Sequence, residues 1–287
     1  MPDKLGMNYT AVILARNERE RLPLVLKNFE CLVNVLVVDN YSTDETREIA
    51  ESYKRRWIQV QNEGGFCETE EWMQQVWPHL TTPYMLLAAC AESLPISLLA
   101  AYDSIAINGQ YAVVLANRIS ITAGLPIPID YPPAWLSWKY QGEIRFFRKG
   151  AVCYLGNQVH NRGRITVKDC YVLKLGRDPD FCFYQYRDYD ASETEAKHNV
   201  YNNTLALQLY KKGEKPDFIK WVFRALRKFL VTYFLYGGFR FGILGFMHCY
   251  YRFHMELGIY FRIYEYHRGL TKREIIALHC RTRSDLL

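Results

Sequence analysis

The 287-residue chain has eight cysteines but no C-x-x-C pair, and their scatter suggests neither a zinc site nor a disulfide framework. Reduced thiols in a cytosolic compartment fit that usage. The opening stretch MPDKLGMNYT lacks an apolar core, so a secretory signal is not expected. Internal repeats and low-complexity tracts are absent. Apolar runs of spanning length are absent too. Residues 229–239 and 241–251 are uncharged, but each falls short of the roughly 18 residues a membrane helix needs, and Arg240 stands between them. Acidic residues are scarce in one region only. Residues 211–287 carry 15 Lys and Arg against 6 Asp and Glu, a net +9, whereas the first 210 carry 21 against 24, a net −3. The overall +6 therefore points to an anionic surface facing the C-terminal region, either a membrane or a nucleic acid.

What is present is organised around residues 33–50, VNVLVVDNYSTDETREIA. Val35, Leu36, Val37 and Val38 form a continuous apolar run, as in a parallel strand covered on both faces. Asp39 ends the run at the strand's carboxyl end, the edge where open α/β sheets bind ligands. The S-x-x-E spacing of Ser42 and Glu45 predicts a capping box and a helix beginning at Thr43. Upstream, residues 9–15 (YTAVILA) read as a second strand, followed by the polar loop Arg16, Asn17, Glu18. Leu22, Val25, Leu26 and Phe29 then recur as a helix face, with Pro23 in the first turn. A right-handed crossover puts both polar loops on one sheet edge. At this level Asp39 is either a ligand contact or merely a strand terminus.

Together, VILARNERERLPLVLKNF and VLVVDNYSTDETREIAE resemble the nucleotide-binding start of family-2 glycosyltransferases with the GT-A fold. The pattern is a strand with an Asn-Glu pair, here Asn17-Glu18, then a strand ending in V-D-x-x-S-T-D-x-T, here residues 38–46. The resemblance implies an α/β GT-A domain, taken as residues 8–180, and a nucleotide-sugar donor. Asp39 would contact the base, and Ala15, Asn17 and Glu18 would line the nucleotide pocket.

Further along, residues 57–60 read as a strand, 62–66 as a turn, 68–76 as a helix and 84–88 as a strand. In the family that last strand runs into Asp-x-Asp, whose carboxylates hold Mg or Mn on the donor diphosphate. Here both positions are methyl groups, Ala89 and Ala91, with Glu92 following and Cys90 between them as a small buried hydrophobe. The enzyme is then metal-independent, or uses other ligands, or has lost catalysis. Residues 96–107 read as a helix and 111–121 as a strand with Arg118 near its end. Residues 122–138 read as a long loop whose Tyr131, Trp135 and Trp138 either stack on an acceptor sugar or pack down.

The strand 143–149 (EIRFFRK) narrows the resemblance. R-x-F-R-[RK]-G, carried by Arg145, Phe147, Arg148, Lys149 and Gly150, followed by Val159-His160, is similar to the lipopolysaccharide core branch of the family, although Asn161 replaces that branch's Glu. Inverting transfer needs a base for the acceptor hydroxyl. The branch's acidic residue aligns with Gln141, so Glu143 is the expected base, with a strand-edge salt bridge as its alternative. Glu92, Arg145, Arg148 and His160 are expected around the diphosphate or cation. The two arginines point to opposite faces, so only one serves the pocket. Arg162 and Arg164 are further candidates. Residues 165–175 read as the last strand and 178–189 as a link.

A helical region is expected over 190–287, with helices at 192–209 and from 218. Lys220, Arg224, Arg227 and Lys228 share one face, and Ile219, Val222, Phe223, Leu226, Leu230 and Phe234 fill the rest. The segment is either interfacial or packed on a core. The expected function is sugar transfer from a nucleotide sugar to a cell-envelope or lipid-linked glycan, in the cytoplasm and peripheral on the inner face of the plasma membrane. The alternative is a catalytically silent nucleotide-sugar-binding or scaffold protein. No nucleic-acid motif appears, so nucleic acid is not an expected partner.

Overall fold

The computed structural model describes residues 4–61, 69–122, 124–127, 129, 142–154, 163–186, 190–270 and 272–285. Two compact units divide the chain, 1–187 and 188–287.

The first unit contains β1 (Tyr9–Ala15), α1 (Leu22–Asn28), β2 (Val35–Asp39), α2 (Thr46–Ser52), β3 (Arg56–Gln59), α3 (Glu70–Val76), β4 (Tyr84–Ala89) and β5 (Glu92–Ser93). It continues with α4 (Ile96–Asn108), β6 (Val113–Thr122), β7 (Leu125–Ile127), β8 (Glu143–Arg148), β9 (Val152–Cys153), β10 (Arg164–Ile165), β11 (Val172–Lys174) and β12 (Cys182–Tyr186). The main sheet runs in the order β3-β2-β1-β4-β8-β6-β12-β5, with β7 and β11 also paired to β6. Its first four strands are parallel, β8 is antiparallel to both β4 and β6, and β12 runs parallel to β6. The expected α/β fold of GT-A type is borne out. A parallel half bears the Asn-Glu and V-D-x-x-S-T-D motifs, and an antiparallel strand is inserted beside it.

The strand period explains the layers. Tyr9, Ala11 and Ile13 face one side, where Leu22, Val25, Leu26 and Phe29 from α1 and Leu98, Leu99 and Tyr102 from α4 cover them. Val12, Leu36, Val38 and Leu87 face the other, under Trp72, Met73 and Val76 from α3. Each fully buried side chain of this kind contributes roughly 1.5–3 kcal/mol. Phe146 on β8 is fully enclosed. It stacks on Tyr84 at 5.1 Å and on Tyr102 at 4.5 Å, and meets Tyr9 edge-on at 5.4 Å.

Three sequence expectations fail here for local reasons. Helix α2 begins at Thr46, not Thr43, and Ser42 caps nothing, because its hydroxyl donates to Asp39. Residues 165–175 are not one strand, since a 3-10 turn at Asp169–Tyr171 separates β10 from β11. The stretch read as a link contains β12, which Asp178 and Pro179 introduce with a capped turn. The expected turn at 62–66 lies outside the described residues, as do Tyr131, Trp135 and Trp138.

The second unit is helical: α5 (Ala191–Lys211), α6 (Phe218–Leu230), α7 (Gly242–Arg268) and α8 (Lys272–Asp285). Asp190 caps α5 and Asp217 caps α6, each carboxylate accepting a first-turn amide. Ala206, Trp221, Ile259, Tyr260 and Ile263 form its small core. Glu256, buried on α7, pairs with Arg224 at 2.7 Å and with Lys228. After α6 the chain passes through a π-helical turn (Val231–Leu235) and a 3-10 turn (Gly238–Phe241). Gly245 packs so closely there that a Cβ on it would lie 1.9 Å from the Gly238 carbonyl oxygen. Trp221 and Ala225 turn inward, while Ile219, Phe223, Leu226, Leu230 and Phe234 are exposed. Among the described residues no single helix is long and apolar enough to cross a membrane. Phe218–Leu235 and Gly238–Arg268 reach that length and composition only together, across a 69° bend.

Candidate functional site

The carboxyl edge of the sheet gathers the chemistry. Ala15 pairs with Asp39 across β1 and β2, and Leu14 with Ala89 across β1 and β4. The loops leaving β1 and β2 are clasped to each other. The Asn17 amide donates to the Ser42 hydroxyl at 2.8 Å, and the Thr43 amide donates to the Asn17 side-chain oxygen at 2.8 Å. The Glu18 amide reaches the Thr46 hydroxyl at 2.9 Å, and the Arg19 amide reaches Asp44 at 3.1 Å. Asn17 and Tyr41 both take φ of 54°, a left-handed conformation that Asn tolerates better than most residues. The side chains of Asn17, Ser42, Asp44 and Thr46 are thus used in hydrogen bonds between the loops.

Asp39 lies beneath this clasp and is 1% exposed. Its carboxylate accepts from the Ser42 hydroxyl, from the Ser42 amide at 3.1 and 3.2 Å, and from the Gln59 side chain at 3.3 Å. Glu18 turns back to Arg21, which donates to both its oxygens at 2.7 and 3.1 Å. The Ala15 carbonyl accepts from the Asn40 amide at 2.9 Å. Burial acts to raise the Asp44 carboxyl, but hydrogen bonds from the Thr46 hydroxyl and from the Arg19 and Thr46 amides outweigh it and hold the group below its ordinary value.

Next to the clasp stands a charge network. The Glu92 carboxylate accepts from the Ala89 amide at 3.0 Å and from Arg145 at 2.7 Å. Arg145 also reaches Glu143 at 3.2 Å, and Glu143 reaches Arg118 at 3.3 Å. The Arg145 guanidinium lies 4.6 Å from the centre of the Phe183 ring. Burial pushes the Glu92 carboxyl up, and the Arg145 charge pulls it part of the way back. Between the two glutamates Glu143 is the more accessible, its side chain 12% exposed against 1%. Cys90 is buried with its thiol donating to the Leu14 carbonyl at 3.3 Å, and burial pushes its thiol well up, away from reactivity.

The structure therefore brings Ala15, Asn17, Glu18, Asp39, Glu92, Glu143 and Arg145 to one edge. Arg148 is not there. It pairs with Tyr84 at the opposite end of β4 and is exposed. Three residues of strand, about 10 Å, separate it from Arg145, so facing direction alone was too weak a criterion. His160, Asn161, Arg162 and Gln141 lie outside the described residues. Arg118 was seen in the sequence only as a polar strand residue. The β6–β8 register, which sets Ala116 against Glu143, makes it part of the network.

Among the described residues the donor set does not fit a divalent cation. Ala89 and Ala91 offer methyl groups, and both Glu92 oxygens are engaged. No cluster of three His, Cys, Asp or Glu side chains that could hold a metal occurs among the described residues.

These features define a polar, charged carboxyl edge of an α/β sheet, and comparison with known proteins gives it a setting. No family model matches the chain. It is 25% identical over 248 residues to the lipopolysaccharide core biosynthesis glycosyltransferase LpsC of Rhizobium meliloti, a match covering 83% of this chain and 85% of that protein. The resemblance to the lipopolysaccharide core branch, read from Arg145 to Gly150, is borne out by that likeness. Among solved structures, S. aureus TarS matches with a TM-score of 0.47 at 13% identity, over 71% of this chain and 40% of TarS. The chain thus spans less than half of that protein. The mannosyltransferase PcManGT from Pyrobaculum calidifontis, in complex with GDP-Man and Mn²⁺, matches with a TM-score of 0.42 at 12% identity, over 100% of this chain and 83% of that one.

Proposed function

We propose that the chain is a glycosyltransferase that moves a sugar, with inversion, from a nucleotide-sugar donor to a cell-envelope or lipid-linked glycan. One observation carries this reading: the clasped loops over Asp39 and the Glu92–Arg145–Glu143–Arg118 network occupy the same carboxyl edge. The LpsC likeness, which extends over most of both chains, supports the acceptor class. The chain is a family-2 enzyme on the strength of its motifs. It works in the cytoplasm on the inner membrane face, and nucleic acid is not a partner.

In this reading the loop of residues 15–18 and Asp39 hold the nucleotide. Asp39 acts in two ways, since it also fixes Ser42 and hence the clasp. Arg145 faces the diphosphate, and its positive charge, shared with Glu92 and Glu143 until the donor binds, offsets the charge of the departing nucleotide. Glu143 takes the proton of the acceptor hydroxyl. No step passes through a metal ion.

The test is a thermal-shift panel of UDP-, GDP-, ADP-, CMP- and dTDP-sugars, with and without Mn²⁺. At least one sugar nucleotide is expected to raise the melting temperature, and Asp39→Ala is expected to abolish that shift. A panel with no response leaves the chain without its donor and ends the reading. Glu143→Gln is expected to lower turnover by about 10²–10⁴ with donor affinity retained. Normal turnover in that variant moves the base elsewhere.

A further inference from the structure

We infer that the helical unit docks on an anionic lipid surface by burying the apolar side of α6 together with the bend that follows it. The inference rests on the proposed envelope acceptor only for its purpose. Its physical basis lies within residues 218–255.

Ile219, Phe223, Leu226, Leu230 and Phe234 recur at helical spacing, with exposures between 45% and 80%. A helix packed on its own core turns such a stripe inward. Here the opposite side, with Trp221 and Ala225, is the buried one. The stripe continues around the bend. Phe246 on α7 lies 5.7 Å from Phe229 and 6.2 Å from Tyr233, which also meets Phe239 at 6.4 Å, ring centre to ring centre. Beyond that cluster Ile243 is 69% exposed. The 69° bend suits a segment lying within one leaflet rather than crossing both.

Charge selects the occupant. Residues 218–255 contain six Lys and Arg and no Asp or Glu. The first acid, Glu256, is buried beneath Arg224 and Lys228, and Lys220 reaches Glu214. Arg227 and Arg240 are exposed beside the apolar stripe. An apolar, aromatic face with only positive charge around it complements anionic headgroups, and aromatic rings are favoured at that depth. Because Lys220, Arg224 and Lys228 already have acidic partners, apolar burial and not attraction at a distance holds the protein there.

The test is co-sedimentation of the full chain with phosphatidylcholine–phosphatidylglycerol vesicles. Binding is expected at low salt, and a substantial part of it is expected to persist at about 1 M salt, where the Debye length is about 3 Å. The double change Phe234→Glu and Ile243→Glu, both at exposed positions, should lower the partition coefficient by about tenfold or more. Phe234→Trp should show blue-shifted emission on mixing with vesicles. A chain that stays in the supernatant at low salt overturns the inference. So does a double variant that binds like the wild type, or a face whose change abolishes a dimer in solution instead. Loss of all binding at high salt replaces apolar burial by charge alone. Donor binding is measured on the same samples. A chain that binds vesicles but no sugar nucleotide overturns the proposed activity and leaves docking intact. One that binds donor but no vesicles does the reverse.

Discussion

The two units put the same residue types to opposite uses. In the sheet unit Phe146 is fully enclosed by Tyr9, Tyr84 and Tyr102, whereas in the helical unit Phe223 is 68% exposed. Polar groups are reversed as well. The helical unit buries Asn202, Thr232, His248 and Glu256 while it exposes Ile219, Phe234 and Ile243. A sheet has two faces, and helices on each face cover both. A helix that contacts its neighbours along a single line covers only that line. Apolar residues elsewhere on its surface then need a different cover, which the unit does not itself supply.

The sharpest way to break this comparison is to make one substitution in both places. Phe146→Ala should destabilise the protein by about 3–5 kcal/mol, the usual cost of emptying a filled aromatic site. Phe223→Ala should change stability by no more than about 0.5 kcal/mol. Denaturant melts of the two variants decide the matter, and equal costs would mean that the exposed stripe is packed after all. Smaller than Phe146→Ala, and confined to the helical unit, is the effect of Gly245→Ala. The added methyl meets the Gly238 carbonyl, so the bend must open, with a loss of about 1–3 kcal/mol expected for an overpacked site. Far-ultraviolet circular dichroism on heating detects it.

A weaker effect tests the clasp of the sheet unit. The Asp44 carboxyl is held below its ordinary value, so its contribution is fully present above the ordinary carboxylate range and is lost as pH falls through the depressed one. Asp44→Asn should therefore lower stability in the neutral region and flatten the acid limb of the stability–pH curve, with the variant and wild type converging at low pH. An unchanged acid limb would assign acid sensitivity to other groups. The smallest expected effect is none. With alanines at positions 89 and 91, transfer activity should survive EDTA. Loss in EDTA with rescue by Mn²⁺ would show that residues outside the described set build a metal site.

The parallel half of the sheet was legible in the sequence because burial on both faces writes itself as unbroken apolar runs, as at 35–38. Asp39 and the Asn17 loop were legible for the same reason, since polar residues interrupt those runs at one edge. What the helix signal missed was competition. Ser42 has the spacing of a cap, but the carboxylate three residues earlier takes its hydroxyl first. The strand β12 was overlooked because Asp178, Pro179 and Asp180 look like a linker. Yet the run CFYQY just after them has the aromatic content of a strand. The Glu143–Arg118 pairing could not be read at all, because it depends on the register of two strands 25 residues apart in the chain.

That late strand sets an order of events during synthesis. β12 supplies the neighbour of both β6 and β5, pairing Tyr184 with Ser93 and Gln185 with Glu92. Phe183, the ring beneath Arg145, arrives with it. A nascent chain can lay down β1 to β4 and clasp the first two loops early. Glu92 and Arg145 must wait for almost the whole unit to be translated before their surroundings are complete. A ribosome stalled short of Cys182 would therefore leave a chain with the loops after β1 and β2 clasped and its charge network uncovered.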